Sequence, residues 1–414
     1  MRLRHNHFDK NRKRFIVRYQ KKRTKQNLLS IISSILLIII SSLNVLISAV
    51  SSYEPAKQII TVLMGAAVVI AVSFLKEEHL HKAATVIYIC AVILMIGQLI
   101  FGKELSFQHR RYLYLCGLAI YTAAILPLIS FQVAKSITKY NCISISNFAM
   151  VCGLVLIPIA LIYFQANLTP VIIAMFVVAV SIIVLKREGR LNMPWRFFAI
   201  PVILLSVFVV AIYSESSYVA ERVNTIICRG ANDPMGSGWV RTVLDGIFTS
   251  TPLIGQTTYT IEGQTVVGTL TKWADHNIII ALAQYGWLAF IGVQIIYIAF
   301  FICLFKMVSK TRQSSFARYT SMFLTLSLVS QTVYSLLGVF LLDGASLNLP
   351  FMSGHTVNMM SYLSFGIILM LYVKRDQPSK IQELEVNETP DRLSIIKKMV
   401  SYISSGEEVT DEET

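Results

Sequence analysis

Apolar residues in this chain neither alternate nor recur on a single helical stripe; they run almost unbroken for stretches of roughly 18 to 25 residues. Ten such runs are present, near residues 27–50, 57–75, 83–101, 112–133, 147–164, 168–185, 197–214, 277–305, 316–342 and 350–373. Each is too long for a strand and too uniform for a surface helix. Each matches the length an α-helix needs to cross about 30 Å of hydrocarbon. The pattern predicts an all-α polytopic membrane protein, a ten-helix transmembrane bundle. An even number of crossings places both termini on one side.

Composition agrees. Of 414 residues, 55% are apolar and 14% charged, and the mean hydropathy is +0.62. A soluble domain would carry charge on about a quarter of its residues, so a cytosolic globular protein is excluded. The net charge of +14 acquires meaning only from where the charges lie. The first 26 residues hold 11 Lys and Arg against one acid, which assigns the N-terminus to the cytoplasm and shows no cleavable-signal pattern. With that orientation, 29 of the 37 basic residues fall on the cytoplasmic side and eight outside. The basic excess is therefore a topological device with an attraction to anionic inner-leaflet lipids, and it requires no nucleic acid. The expected location is the plasma membrane, multi-pass, with both termini cytoplasmic.

Three regions follow: a basic segment 1–26, a membrane domain 27–373, and a cytoplasmic tail 374–414. The connections are short except for 215–276, a large extracellular loop between spans 7 and 8. Long loops on rigid scaffolds are where chemistry concentrates. The tail holds six basic and ten acidic residues. Within it, 391–404 places Leu393, Ile396, Met399, Val400 and Ile403 on one helical face, suited to the inner leaflet or to a partner helix, although a weakly helical disordered tail has the same composition. Of six cysteines only Cys228 lies in an outer loop, so no intramolecular disulfide is expected there, and no Cys or His spacing suggests a metal site.

Motifs near the loop carry more specific information. Asp275 opens the eighth run and Gly286 follows eleven residues later. Upstream stand Asp233, Pro234, Gly236, Gly238 and Trp239, then Gly255, with Arg222 before them. Gln165, Asn167 and Leu168 end the fifth run, Leu349, Pro350, Phe351 and Ser353 open the last, and Ser106, Phe107 and Gln108 precede the fourth. This set resembles the SEDS family (shape, elongation, division and sporulation; FtsW, RodA, SpoVE), with its T-D-F-I-F-A-x-x-x-E-E-x-G, D-P-x-G-x-G, Q-P-D, L-P-F-x-S and F-Q-P-S-E elements. The chain departs from the pattern at several points. Ala283 and Gln284 stand for the two glutamates, His109, Arg110 and Arg111 for Pro-Ser-Glu, Asn167 for the aspartate of Q-P-D, and His355, Thr356 and Val357 for Gly-Gly-Ser.

The resemblance implies a peptidoglycan glycosyltransferase that polymerises lipid II, an undecaprenyl-pyrophosphate-linked disaccharide-peptide, with a class B penicillin-binding protein as partner. It implies Asp275 as catalytic base. Chemically, such a reaction needs a base for the acceptor hydroxyl and cations for the leaving pyrophosphate. Arg222, Arg110, Arg111 and Lys272 are candidates for the second role, directly or beside a divalent cation; Arg229 and Arg241 are the other loop cations. Ser353, His355, Asn358, Gln284 and Gln331 are polar groups that could line a lipid-substrate groove, or bond between helices. Asp275 also has a simpler reading as the N-cap of the span that follows. The alternatives of function are a catalytically silent scaffold of wall synthesis, motivated by the missing carboxylates, a transporter of the lipid-linked precursor, and an O-antigen-type polymerase.

Overall fold

The computed structural model describes residues 28–49, 55–105, 109–115, 118–140, 145–165, 168–189, 239–261, 263–266, 277–311, 314–340, 349–353 and 355–374. Eight helices among these are long and apolar enough to cross a membrane. They are α1 (Leu28–Ala49), α2 (Pro55–Ser73), α3 (Glu77–Phe101), α5 (Ile145–Phe164), α6 (Leu168–Arg187), α9 (Trp287–Lys310), α10 (Ser315–Phe340) and α11 (His355–Val373). Sequence accounts for their ends. Glu77 and Glu78 lie in the first turn of α3, and Lys186 and Arg187 in the last turn of α6, each sign matched to the helix dipole. The expected seventh span, 197–214, lies outside the described residues, as do 1–27 and the possible amphipathic segment 391–404.

The fourth span departs from expectation. Residues 112–133 are not one helix: Lys103–Leu105 (β1), His109–Leu115 (β2) and Leu118–Ile120 (β3) form a small antiparallel sheet, with Glu104 opposite Arg110 and Leu113 opposite Ile120. A 3-10 helix (Thr122–Leu128) then leads into α4 (Ile129–Tyr140). Pro127, which has no N–H to donate and lies inside the 3-10 helix, accounts for the interruption before α4. The 7-residue 3-10 turn and 12-residue α4 together reach about 32 Å, enough to cross the hydrocarbon. The helical part of this region thus begins at Thr122, about ten residues later than expected, and it is not among the eight helices long and apolar enough to cross a membrane.

The eighth run is also divided. Asn277–Tyr285 (α8) ends at Gly286, whose φ of 89° is left-handed, and α9 begins at Trp287. With 24 residues α9 is about 36 Å long and crosses the membrane unaided. The short α8 is buried by protein instead, with Ile278 to Ala283 all at most 2% exposed. Before it, α7 (Trp239–Ser250) is amphipathic: Val243, Leu244 and Ile247 are buried, Thr242, Asp245 and Thr249 exposed. A two-residue hairpin, β4 (Thr260–Ile261) with β5 (Gln264–Thr265), follows.

Close helix packing relies on missing side chains. At α2 against α11, a β-carbon on Gly65 would lie 2.2 Å from the Tyr362 ring, and one on Gly366 would lie 3.2 Å from Val69 Cα. Small residues allow such approach where lipid offers no hydrophobic driving force. The Tyr362 hydroxyl shares a hydrogen bond with Ser41 of α1 at 2.7 Å, and Asn44 donates to Gln58 at 3.2 Å. At the basic end of the bundle, Arg318 and Tyr319 of α10 hold Glu188 beyond α6, and Ser314 bonds Glu77 of α3. At the opposite end, here the loop end, the sheet, α7 and α8 cover the helices.

Candidate functional site

Two adjoining cavities lie between the helices. The smaller, about 70 Å³, is bordered by the 3-10 helix, α6, α10 and α11, and its polar lining includes Tyr121, Thr169, Gln331, Tyr334, Ser335 and Ser361. Thr169 and Tyr334 share a hydrogen bond at 3.3 Å across it. The larger, about 200 Å³, runs between α4, α5, α6 and α10 past Val133, Ile137, Val155, Ile159, Val177 and Leu185. Its walls are almost wholly apolar. Leu126, Pro127, Ile173 and Ser327 border both cavities, so a chamber toward the loop end, apolar over most of its wall but set with several polar groups, adjoins an apolar groove toward the basic end. An amphiphile with a polar head and a long hydrocarbon chain has this division of surface.

On α10 the signal was present in sequence: Ser327, Gln331, Tyr334 and Ser335 recur at helical spacing on one face. Gln331, a candidate for such a groove, does line the chamber. The residues sequence reasoning missed, Tyr121, Thr169, and Ser361 with Ser364 on α11, come from three separate parts of the chain, and only the packing brings them together.

The motif residues divide into two groups. Gln165 is buried and structural: its amide donates to the Met95 carbonyl at 3.1 Å and its carbonyl accepts from Thr122 at 3.4 Å, while Thr122 also bonds Gln98. Three elements are thereby joined beside the smaller chamber. Ser353 is fully buried, its hydroxyl donating to Leu349 at 2.6 Å and its amide to Asn358 at 3.0 Å. The Pro350 carbonyl accepts from Tyr297 at 2.5 Å. Phe351 takes a left-handed φ of 66° and is buried against Phe300 and Tyr362. The Leu-Pro-Phe-x-Ser element is thus a strained turn held by side chains, leading to His355 as first residue of α11. Arg110 and Arg111 lie on strand β2, not at the head of a span.

Around Gly286 the backbone is laced to the segment after α7. The amides of Trp287 and Leu288 donate to the carbonyls of Pro252 and Leu253 at 3.2 and 3.0 Å. In return, Gly255 and Thr257 donate to Tyr285 and Ala283 at 3.2 and 2.7 Å. These bonds supply partners for the helix-end groups that the break exposes. Gly255 adopts φ 113°, and a β-carbon at Gly286 would meet the Leu253 and Pro252 carbonyl oxygens at 2.7 and 2.8 Å. Where the family pattern has two glutamates, Ala283 is fully buried, and the buried Oε1 of Gln284 has no partner among the described residues.

Arg241 is occupied in the fold. It is 8% exposed, pairs with Asp245 at 2.6 Å and donates to the Phe340 carbonyl at the end of α10 at 3.0 Å. Asp275, Lys272, Arg222, Asp233, Pro234, Gly236 and Gly238 lie outside the described residues. Asp275 precedes the first residue of α8 by two positions. Among the described residues, no group of His, Cys, Asp and Glu side chains could hold a metal ion.

The bundle with its loop-end cover and amphiphilic cavity defines a polytopic helical membrane protein. A family model for cell cycle proteins of the FtsW/RodA/SpoVE type matches residues 21–377, and the chain belongs to that family. The fold is similar to a chain from a solved peptidoglycan synthase complex, described for coordination of polymerization and crosslinking (TM-score 0.67, 20% identity, covering 84% of this chain and 98% of that one). It is also similar to the rod shape determining protein RodA of Thermus thermophilus (TM-score 0.60, 18% identity, 84% and 97%). At these identities the likeness establishes the fold. Comparison with curated proteins finds no significant match.

Proposed function

We propose that this protein is a glycan polymerase of cell wall synthesis, acting on lipid II at the outer face in division, elongation or sporulation, with a class B penicillin-binding protein as partner. The observation that carries this reading is the apolar groove adjoining a smaller chamber set with polar groups, within a chain of the FtsW/RodA/SpoVE family. A polyprenyl chain suits the groove, and a sugar-pyrophosphate head, too large for the chamber of about 70 Å³, belongs at the loop end above it. The distribution of basic residues favours the loop end as the outside.

In this reading Asp275 takes the proton from the acceptor sugar hydroxyl as the new glycosidic bond forms. The donor sugar's bond to pyrophosphate breaks, and the leaving charge is met by Arg222, Lys272, Arg110 or Arg111, alone or with a divalent cation. His355 and Ser353 belong to the element that shapes the entry to α11, Ser353 through its buried hydrogen bonds. The test is polymerisation of lipid II by purified protein with its partner. Wild type is expected to polymerise and Asp275→Ala to lose activity while remaining folded; retained activity in the variant removes Asp275 from the base role.

Ala283 and Gln284 favour a second reading, a scaffold that keeps the bundle and the partner but lacks turnover. Wild-type protein that co-purifies with the penicillin-binding protein yet never polymerises lipid II selects it. Unaided translocation of lipid II by the purified protein would instead select the transporter reading.

A further inference from the structure

The turn Pro252–Gly255 presents two large apolar side chains away from the fold. Leu253 is 64% exposed and Ile254 71%. No charged residue occurs from Thr249 to Ile261, and Pro252–Gly255 contains no polar side chain. For a turn in water this composition is wrong, because turns facing solvent are built from polar residues.

Nor is the exposure that of a loose loop. Three of the four backbone bonds to the α8–α9 junction described above are made by this turn, through Pro252, Leu253 and Gly255, and the fourth by Thr257 just beyond it. Gly286 leaves the carbonyls of Pro252 and Leu253 just enough room, since any β-carbon there would collide with both. The two side chains are therefore held outward in a fixed direction.

That direction is set by the neighbour. The Leu253 carbonyl accepts from the Leu288 amide, so the turn lies against the first residues of α9. Along α9, Leu288, Ile291 and Ile295 are exposed at helical spacing and form the stripe of a membrane-crossing helix that faces outside the bundle. Leu253 and Ile254, likewise exposed, adjoin the loop end of this stripe through the Leu253–Leu288 backbone bond. Trp287, whose indole belongs to the residue type that marks the membrane–water boundary, stands at the same level.

We propose that Pro252–Gly255 is a lipid anchor, seated among the acyl chains and glycerol groups of the leaflet on the loop side. The occupant is lipid because the surface adjoins the outward apolar stripe of a helix long and apolar enough to cross a membrane, and offers no hydrogen-bonding or charged side chain that would orient a protein partner. Its bonds to both sides of the Gly286 break then hold α8 at a defined height above the bilayer.

The test places photoreactive benzoylphenylalanine at position 253, 254, 288 or 249 of the full-length protein in native membranes, followed by irradiation and mass spectrometry of the adducts. Phospholipid adducts are expected at 253 and 254, as at the α9 position 288, and none at the exposed polar position 249. Adducts to another protein at 253 and 254 would overturn the lipid assignment in favour of a partner surface, and absence of any adduct there, with lipid adducts at 288, would make the turn solvated. Hydroxyl-radical footprinting of the unaltered protein in lipid nanodiscs gives an independent reading. Leu253 and Ile254 should be protected to the same degree as Leu288 and Ile291, and oxidation well above that level refutes the anchor.

Discussion

The hydroxyl of Tyr88 on α3 donates to the carbonyl oxygen of Leu154 on α5 across 3.1 Å. That carbonyl is the one Pro158 leaves without its helical partner, because proline four residues on has no N–H to offer. Within a bilayer no water replaces the missing donor, and a neighbouring helix supplies it. The proline in the middle of a span is thereby converted into a specific contact between α3 and α5.

Tyr88→Phe should destabilise the protein by about 1–2 kcal/mol, the cost of leaving a carbonyl unpaired. In a Pro158→Ala background the helix restores its own bond, and the same change should cost only a few tenths of a kcal/mol. A double-mutant cycle on detergent- or denaturant-induced unfolding measures the difference. Equal costs in both backgrounds would show that the hydroxyl does not serve the carbonyl Pro158 leaves open.

At the junction of α2 and α11, Gly65→Ala forces its methyl into the ring of Tyr362, 2.2 Å away. Because the ring is also bonded to Ser41 and packed on Phe351, it has little freedom to retreat. A loss of about 1–3 kcal/mol is expected from overpacking. Combining Gly65→Ala with Tyr362→Leu should recover part of it, read as a thermal midpoint above that of Gly65→Ala alone.

Gly286→Ala combines a left-handed φ of 89° with a collision against two carbonyl oxygens. The expected cost is at least about 2–3 kcal/mol, from strain and from the loss of the bonds to Pro252 and Leu253. Insertion of α9 should survive, since its 24 residues cross unaided. Thermal unfolding should begin lower, and protease cleavage between Ser250 and Tyr259 should accelerate. A thermal profile matching wild type would mean the junction relaxes without cost.

Filling the apolar groove tests its occupant. Ala174 is buried and borders the larger cavity, so Ala174→Phe should occupy part of the about 200 Å³ without exposing polar groups. If the groove holds a polyprenyl chain, polymerisation of long-chain substrate should fall several-fold while a short-chain analogue is used as before. Equal effects on both substrates would place the chain elsewhere.

Hydrophobicity is local and sums along the chain, so a run such as 316–342 announces α10 without any knowledge of its neighbours. The sequence by itself therefore determined the membrane location, the eight spans seen among the described residues and the family motifs. What it could not determine is where a continuous apolar run is interrupted. Residues 112–133 and 277–305 have the composition of spans, yet one becomes a sheet with a 3-10 helix and the other breaks at Gly286. Such breaks depend on which distant groups satisfy the exposed backbone: Pro252 and Leu253 for α9, Gly255 and Thr257 for α8. In the same way Gln165 and Ser353 read as candidate site or motif residues in one dimension, and only in three dimensions are their hydrogen bonds accounted for. The amphiphilic cavity is likewise a property of packing: α10 announces its polar face in sequence, but only the packing brings Tyr121, Thr169, Ser361 and Ser364 from other elements to meet it.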